Sequence, residues 1–286
     1  MKFKKRWLLA LLPIIWIFCC ESCFHMRMSD REAKKEFIQK QIPVEFCSWY
    51  AGDMFVHYVK TGNEKLPTLF FIHGSPGSWD AFKRYLMDSD LRRQFRVIAV
   101  DRPGFGYSNF GKAYHLDTEA KLIYKVIEHE ANGLDMNLIG HSLGGPILVK
   151  IAQDHPEAFH SLTLLAGSIS PYDEPIEKWR GIFVGNPLQY LVPGALRTSN
   201  TEIYYYKKDL YMMDSSYDKL NMPITFIHGN KDPLVTVKNV DYGTKKLKKN
   251  PNIKVIIIPG ANHFIPWEHY DIIKKHLMSL DSLKKS

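Results

Sequence analysis

Cysteine is scarce where it could cross-link a fold. Four occur among 286 residues, and Cys19, Cys20 and Cys23 all fall within the first 23 positions. Cys47 stands alone downstream, which excludes an internal disulfide framework for the body of the chain, and its strand-like neighbours suit a small buried hydrophobe. The Cys20-x-x-Cys23 spacing lies outside any βαβ unit, so it carries no redox reading. HExxH and paired Cys and His spacings are also missing, which leaves no candidate metal ligands, and no cofactor is expected. Internal repeats and low-complexity tracts are absent. The leading apolar run, residues 7–20, is fourteen long, short of the about 20 residues that a membrane-spanning helix takes.

Charge is mildly one-sided, with 38 basic against 30 acidic residues and a formal net charge of +8. Lys2, Lys4, Lys5 and Arg6 supply half of it ahead of the apolar run. A basic segment followed by a short apolar one is the pattern of an export signal or short anchor, and residues 1–23 are read as such. Ser22 directly before Cys23 resembles the lipidated cysteine site of a bacterial lipoprotein. The expectation is an exported protein attached to a membrane of the cell envelope by this N-terminal signal, anchor or lipidated cysteine. The later cluster Lys245, Lys246, Lys248 and Lys249 reads as the solvated face of a helix. No nucleic-acid-binding module accompanies it, so no nucleic-acid partner is expected.

Residues 24–43 are charged and helix-permissive without strong periodicity, and read as a linker. Residues 44–50 and 54–60 alternate around Ala51-Gly52-Asp53, the pattern of a β-hairpin. Short apolar runs then follow at 68–72, 96–100, 136–139 and 162–165, separated by helix-like segments such as 80–87 and 118–130. Two more runs come late, at 224–227 and 254–258. That alternation predicts βαβ units in a parallel sheet buried on both faces. Between 168 and 220 it stops, and Trp179, Phe183, Tyr190, Tyr204, Tyr205, Tyr206 and Tyr211 mark an inserted helical cap. The core therefore spans 44–167 and 221–286 around an insertion at 168–220.

Chemistry concentrates around Gly140-His141-Ser142-Leu143-Gly144-Gly145. An apolar strand runs into it and a helix-like segment leaves it, the strand-turn-helix setting that a G-x-S-x-G motif needs. A serine hydroxyl is a weak nucleophile near neutrality and must be lifted to where a base can reach it. Flanking glycines remove the side chains that would collide when strand and helix fold back on each other. In a parallel sheet, residues just after the strands converge on one edge whatever their separation in sequence. Ser75, in the turn His73-Gly74-Ser75-Pro76-Gly77, and Leu143 each offer a backbone N–H for an oxyanion. Asp232, in His228-Gly229-Asn230-Lys231-Asp232, and His263, in Gly260-Ala261-Asn262-His263, are the candidates for orienter and base. Asp101 could also orient a base, although an Asp opening a Pro-Gly turn usually bonds the backbone ahead of it. His73 and His228 read as structural histidines at strand ends. His141 reads as packing on the far side of the elbow.

The segments HGSPGSW from His73, DRPGFGYS from Asp101, GHSLGGP from Gly140, HGNKDPLV from His228 and GANHFIPWE from Gly260 resemble the α/β-hydrolase superfamily, in its branch with a cap between the sixth and seventh strands. The order Ser142, Asp232, His263 is also that of α/β hydrolases. The resemblance spans about residues 44–276. It implies an α/β-hydrolase fold, a mostly parallel eight-stranded sheet with helices on both faces and an inserted helical cap. It further implies Ser142 as nucleophile, Asp232 as acid, His263 as base and the amides of Ser75 and Leu143 as oxyanion hole. Haloalkane dehalogenases and epoxide hydrolases of this fold use a carboxylate nucleophile, and here the elbow holds serine. The expected activity is hydrolysis of a small-molecule acyl ester or lipid-derived ester, with carbon-carbon bond hydrolysis or peptidase activity as alternatives. A binding protein that kept the fold without catalysis is the alternative of another class.

Overall fold

The structure, a computed structural model, describes residues 15–18, 24–175 and 177–280. The expected signal or anchor at 1–23, with its three cysteines, lies outside the described residues except for 15–18. Among the described residues, no helix is long and apolar enough to cross a membrane.

The predicted apolar runs form one sheet of eight strands: β1 (Glu45–Ala51), β2 (Met54–Thr61), β3 (Thr68–Ile72), β4 (Arg96–Val100), β5 (Met136–His141), β6 (Ser161–Leu165), β7 (Ile224–Gly229) and β8 (Ile253–Ile258). Their spatial order is β1-β2-β4-β3-β5-β6-β7-β8. The first two strands make the expected hairpin, with Ala51 opposite Met54. β2 runs antiparallel to β4, and every later neighbouring pair is parallel. The eight-stranded, mostly parallel sheet is thus as expected. Among the described residues after position 23 the α-helices are α1 (Asp30–Gln39), α2 (Lys83–Met87), α3 (Ser89–Gln94), α4 (Leu116–His129), α5 (Gly144–Asp154), α6 (Gly194–Met213), α7 (Lys238–Lys246), α8 (Ile265–Glu268) and α9 (Tyr270–Met278).

Side chains alternate across a strand, so a sheet covered on both faces needs apolar residues at every position. β3 does this with Leu69, Phe70, Phe71 and Ile72, all fully buried. Phe70 and Ile72 share one core with Ile123 of α4, Leu148 of α5 and Leu210 of α6. Leu69 and Phe71 share the other with Phe37 of α1, Leu91 of α3 and Ile273 of α9. This second core corrects the reading of residues 24–43 as a linker. Ser29 caps α1 by accepting from the Glu32 amide, and Ala33 and Phe37, one turn apart, are fully buried. The spacing Ser29-x-x-Glu32 ahead of that pair was a usable helix-start signal.

Between β6 and β7 the chain makes 3-10 turns at Lys178–Phe183 and Pro187–Leu191 and then α6. Of the aromatic residues in this segment, Tyr206 turns inward while Trp179, Tyr190, Tyr204 and Tyr211 stay about half exposed. Cys47, expected as a buried hydrophobe, is half-buried and packs on the core.

Candidate active site

Ser142 directly follows β5 with φ of 53°, in the left-handed region that side chains other than glycine rarely enter. Its amide donates to the Leu165 carbonyl at 3.0 Å, and its carbonyl accepts from the Gly145 and Ser168 amides at 2.9 and 3.2 Å. The end of β6 thereby fixes the turn. Two glycines make it possible. A Cβ on Gly144 would lie 2.3 Å from the Ile72 carbonyl oxygen, so α5 can begin against β3 only without a side chain there. A Cβ on Gly74 would lie 2.9 Å from the Ser142 Cβ, which puts the turn after β3 directly beside the serine.

The loops after β7 and β8 meet through the Lys231 amide and the Ala261 carbonyl, 2.9 Å apart. This brings together Asp232 and His263, whose Nδ1 lies 2.7 Å from Oδ2 of the aspartate. The other carboxylate oxygen accepts from the Leu234 and Val235 amides, each at 2.8 Å. Burial works against the charge of Asp232, but the hydrogen bonds from His263 and these amides outweigh it and hold the carboxyl below its ordinary value. A carboxylate so held stays ionised and fixes the imidazole that donates to it.

His141 joins the histidine loop to the serine. Expected as packing, it is buried with its ring 5.3 Å from that of Trp267 and 4.8 Å from that of His263, and it also donates Nε2–H to the His263 carbonyl at 3.1 Å. Burial and the neighbouring His263 push His141 down to about 3, so it stays a neutral donor. Its signal lay in adjacency: the residue before an elbow serine must face one of the loops that crowd the elbow. Among the described residues no hydrogen bond joins the Ser142 hydroxyl to the imidazole. Such bonds are often long before substrate binds.

Leu143 directly follows the serine just ahead of α5, and Ser75 follows Gly74 in the turn after β3. His73 donates Nδ1–H to the Gly74 carbonyl at 2.6 Å and accepts the Arg102 amide on Nε2 at 3.0 Å. Burial drives its pKa well below the usual histidine value, so the ring is neutral with one donor and one acceptor, both used. His228 donates to the Val235 carbonyl at 2.9 Å and shapes the Asp232 turn. Asp101 accepts from the amides of Trp79 and Tyr107 at 2.7 and 2.9 Å and meets His57 at 2.8 Å. It serves its own turn, as a turn-opening aspartate should. Sequence reasoning did not single out Arg102, which is buried with Glu119 of α4 and Glu202 of α6. Among the described residues, no group of three or more His, Cys, Asp or Glu side chains is placed to hold a metal ion.

The family model described as alpha/beta hydrolase fold matches residues 67–191. An uncharacterized hydrolase, YugF, of Bacillus subtilis (strain 168) is 24% identical over 260 residues, which cover 78% of this chain and 92% of that protein. A 2-hydroxy-6-oxononadienedioate/2-hydroxy-6-oxononatrienedioate hydrolase of a Pseudomonas species is 22% identical over 76% of this chain and 88% of its own. Among solved structures, a membrane phospholipase A described as a bacterial virulence factor superposes with a TM-score of 0.66 at 20% identity. It covers 99% of this chain and 100% of that one.

Proposed function

This chain belongs to the α/β-hydrolase superfamily, and on that basis we propose that it is a serine hydrolase that cleaves a carboxylic ester through an acyl-enzyme on Ser142. The observation that carries the reading is the backbone of Ser142, held at φ of 53° next to His141, whose ring lies 4.8 Å from that of His263 in a buried His263–Asp232 pair. Backbone strain in a residue other than glycine is kept where surrounding structure enforces it, and such sites cluster at active centres.

In this reading His263 takes the hydroxyl proton as Ser142 Oγ attacks the acyl carbonyl carbon. Asp232 keeps Nδ1 protonated, so that Nε2 is the accepting nitrogen. The carbonyl oxygen, now an anion, is met by the amides of Ser75 and Leu143. The tetrahedral adduct collapses, the alcohol leaves with the proton from His263, and the acyl group stays on Ser142. Water then gives a proton to His263 as it attacks the acyl carbon, the bond to Ser142 Oγ breaks, Oγ takes that proton back from His263, and the carboxylic acid leaves.

Support for an apolar acyl group comes from Trp179, Ile182 and Leu188, which leave about half their surface exposed on the cap segment. Trp16 of the N-terminal apolar run donates to the Leu191 carbonyl of the same segment at 3.0 Å. Both features fit a lipid-derived ester reached at a membrane to which the N-terminal segment attaches the protein. The phospholipase likeness is in keeping with this, and the likeness to a carbon-carbon bond hydrolase supplies the second reading.

A fluorophosphonate probe tests the nucleophile: labelling of the folded protein that vanishes in Ser142→Ala supports the reading, and its absence from folded wild-type protein favours a binding protein. A panel of acyl esters of rising chain length, run beside a carbon-carbon cleavage substrate and aminoacyl amides, tests the bond. Faster turnover of either non-ester class than of every ester would replace the ester reading.

A further inference from the structure

Arg102 carries a buried charge in the turn after β4. Its guanidinium binds Glu119 of α4 with both arms, at 2.9 Å from Nε and 3.1 Å from Nη2. Nη2 also donates to Oε2 of Glu202, on α6 of the cap segment. Nη1 reaches the Gly74 carbonyl at 3.3 Å. One cation therefore connects the core, the cap and the turn that flanks the serine. Buried ion clusters contribute little net stability against an apolar replacement of the same shape, so their residues invite another explanation. Here the arrangement is also incomplete. The second oxygen of Glu202 and the hydroxyl of Thr198, one helical turn earlier, are buried without a hydrogen-bond partner. A cavity of about 10 Å³, room for about one water, lies among Arg102, Glu119, Glu202 and Leu143.

The Gly74 carbonyl and the Ser75 N–H are opposite ends of one peptide group. That group is planar, so a force that orients the carbonyl also aims the N–H. We propose that Glu202, acting through Arg102, is a positioning residue for the Ser75 amide, and that docking of the cap helix and alignment of the oxyanion hole are a single event. This rests on the serine-hydrolase reading above, and it adds a cap residue that touches neither substrate nor triad. With Glu202 in place the guanidinium is drawn in two directions and its remaining arm is held on Gly74. Without that carboxylate the fork can swing toward Glu119, and the peptide that carries the amide loses one of its two anchors, leaving His73 alone.

The test compares wild type, Glu202→Gln and Arg102→Lys on a short acyl ester too small to lean on the cap. Active sites are counted by fluorophosphonate titration so that only folded enzyme is scored. Glu202→Gln keeps the volume but not the charge, and kcat is expected to fall roughly tenfold with KM within about twofold, less than the hundredfold or more for loss of a whole oxyanion donor. Affinity for a trifluoromethyl ketone, whose serine adduct bears the oxyanion, should fall in parallel. Arg102→Lys, which cannot hold three partners in one plane, should give the same pattern and serves if Glu202→Gln does not fold. A lower melting temperature with kcat and ketone affinity unchanged would make the cluster a cap fastener only and overturn the proposal. Esterase activity that survives Ser142→Ala would instead overturn the serine reading, and the proposal with it.

Discussion

At Ser142 a single left-handed torsion, φ of 53°, turns the chain from β5 toward α5 and decides where the hydroxyl lies. That torsion depends on what its neighbours leave out. Gly144 abuts backbone, the Ile72 carbonyl, at a distance no Cβ tolerates, and backbone cannot rotate away as a side chain would. Gly144→Ala should therefore cost about 1–3 kcal/mol of stability and lower activity by moving the elbow; equilibrium urea unfolding together with esterase assays checks both. Asp232→Asn keeps the shape of its partner but not the charge, and should reduce kcat by about 10⁴ while the fold stays intact. Near-normal turnover in that variant would deny His263 its orienter. The left-handed turn at Ser142 and the meeting of Asp232 with His263 were legible because each of these residues follows a readable strand. His141 and Glu202 were not. His141 acts through a carbonyl its sequence neighbours do not reveal, and Glu202 lies mid-helix in an aromatic stretch with nothing to set it apart from a solvent-facing carboxylate.

Among the elements, α1 departs most from expectation. Its composition is that of a solvated linker, and two small stretches of surface, Ala33 and Phe37, make it part of the core. Phe37→Ala should cost about 3–5 kcal/mol, as for other buried aromatic residues, whereas a linker residue would cost next to nothing. The start of α1 also touches an ion cluster. His57 Nε2 lies 3.3 Å from Asp30 and Nδ1 2.8 Å from Asp101. Burial works against the His57 charge, but the hydrogen bond to Asp101 and the Asp30 carboxylate outweigh it and raise its pKa to about 9. A folded pKa above the unfolded value of about 6.5 means the folded state binds the extra proton. The contribution is thus complete below about pH 6.5 and is lost as pH rises through 9. Urea midpoints taken from pH 6.5 to 9.5 should fall more steeply in wild type than in His57→Gln. Parallel slopes in the two proteins would show that His57 does not carry its proton in the folded state.

For the whole molecule, topology was the legible part, because parallel strands buried on both faces leave nearly unbroken apolar runs that stand out from amphipathic helices. Convergence of distant residues follows from the same fact, since every parallel strand opens on one edge. The proposed attachment to a membrane rests instead on composition alone, the basic residues and the apolar run within residues 1–23. The apolar run and its basic prefix lie at one end of the chain, and Trp16 bonds the Leu191 carbonyl, in the segment between β6 and β7. Removing residues 1–23 should therefore leave melting temperature and turnover of a soluble short-chain ester nearly unchanged. The same truncation should move the protein from the membrane to the soluble fraction and lower its rate on a long-chain ester presented in vesicles. Removing residues 1–43 differs in kind, because it takes away α1 and uncovers Trp79 and Phe46, whose rings pack against Phe37 at 6.4 and 6.5 Å. That shorter chain should unfold or aggregate. If instead it stayed folded and active while the 24–286 protein remained on the membrane, the second core would be dispensable and the attachment would lie elsewhere than the N-terminal run.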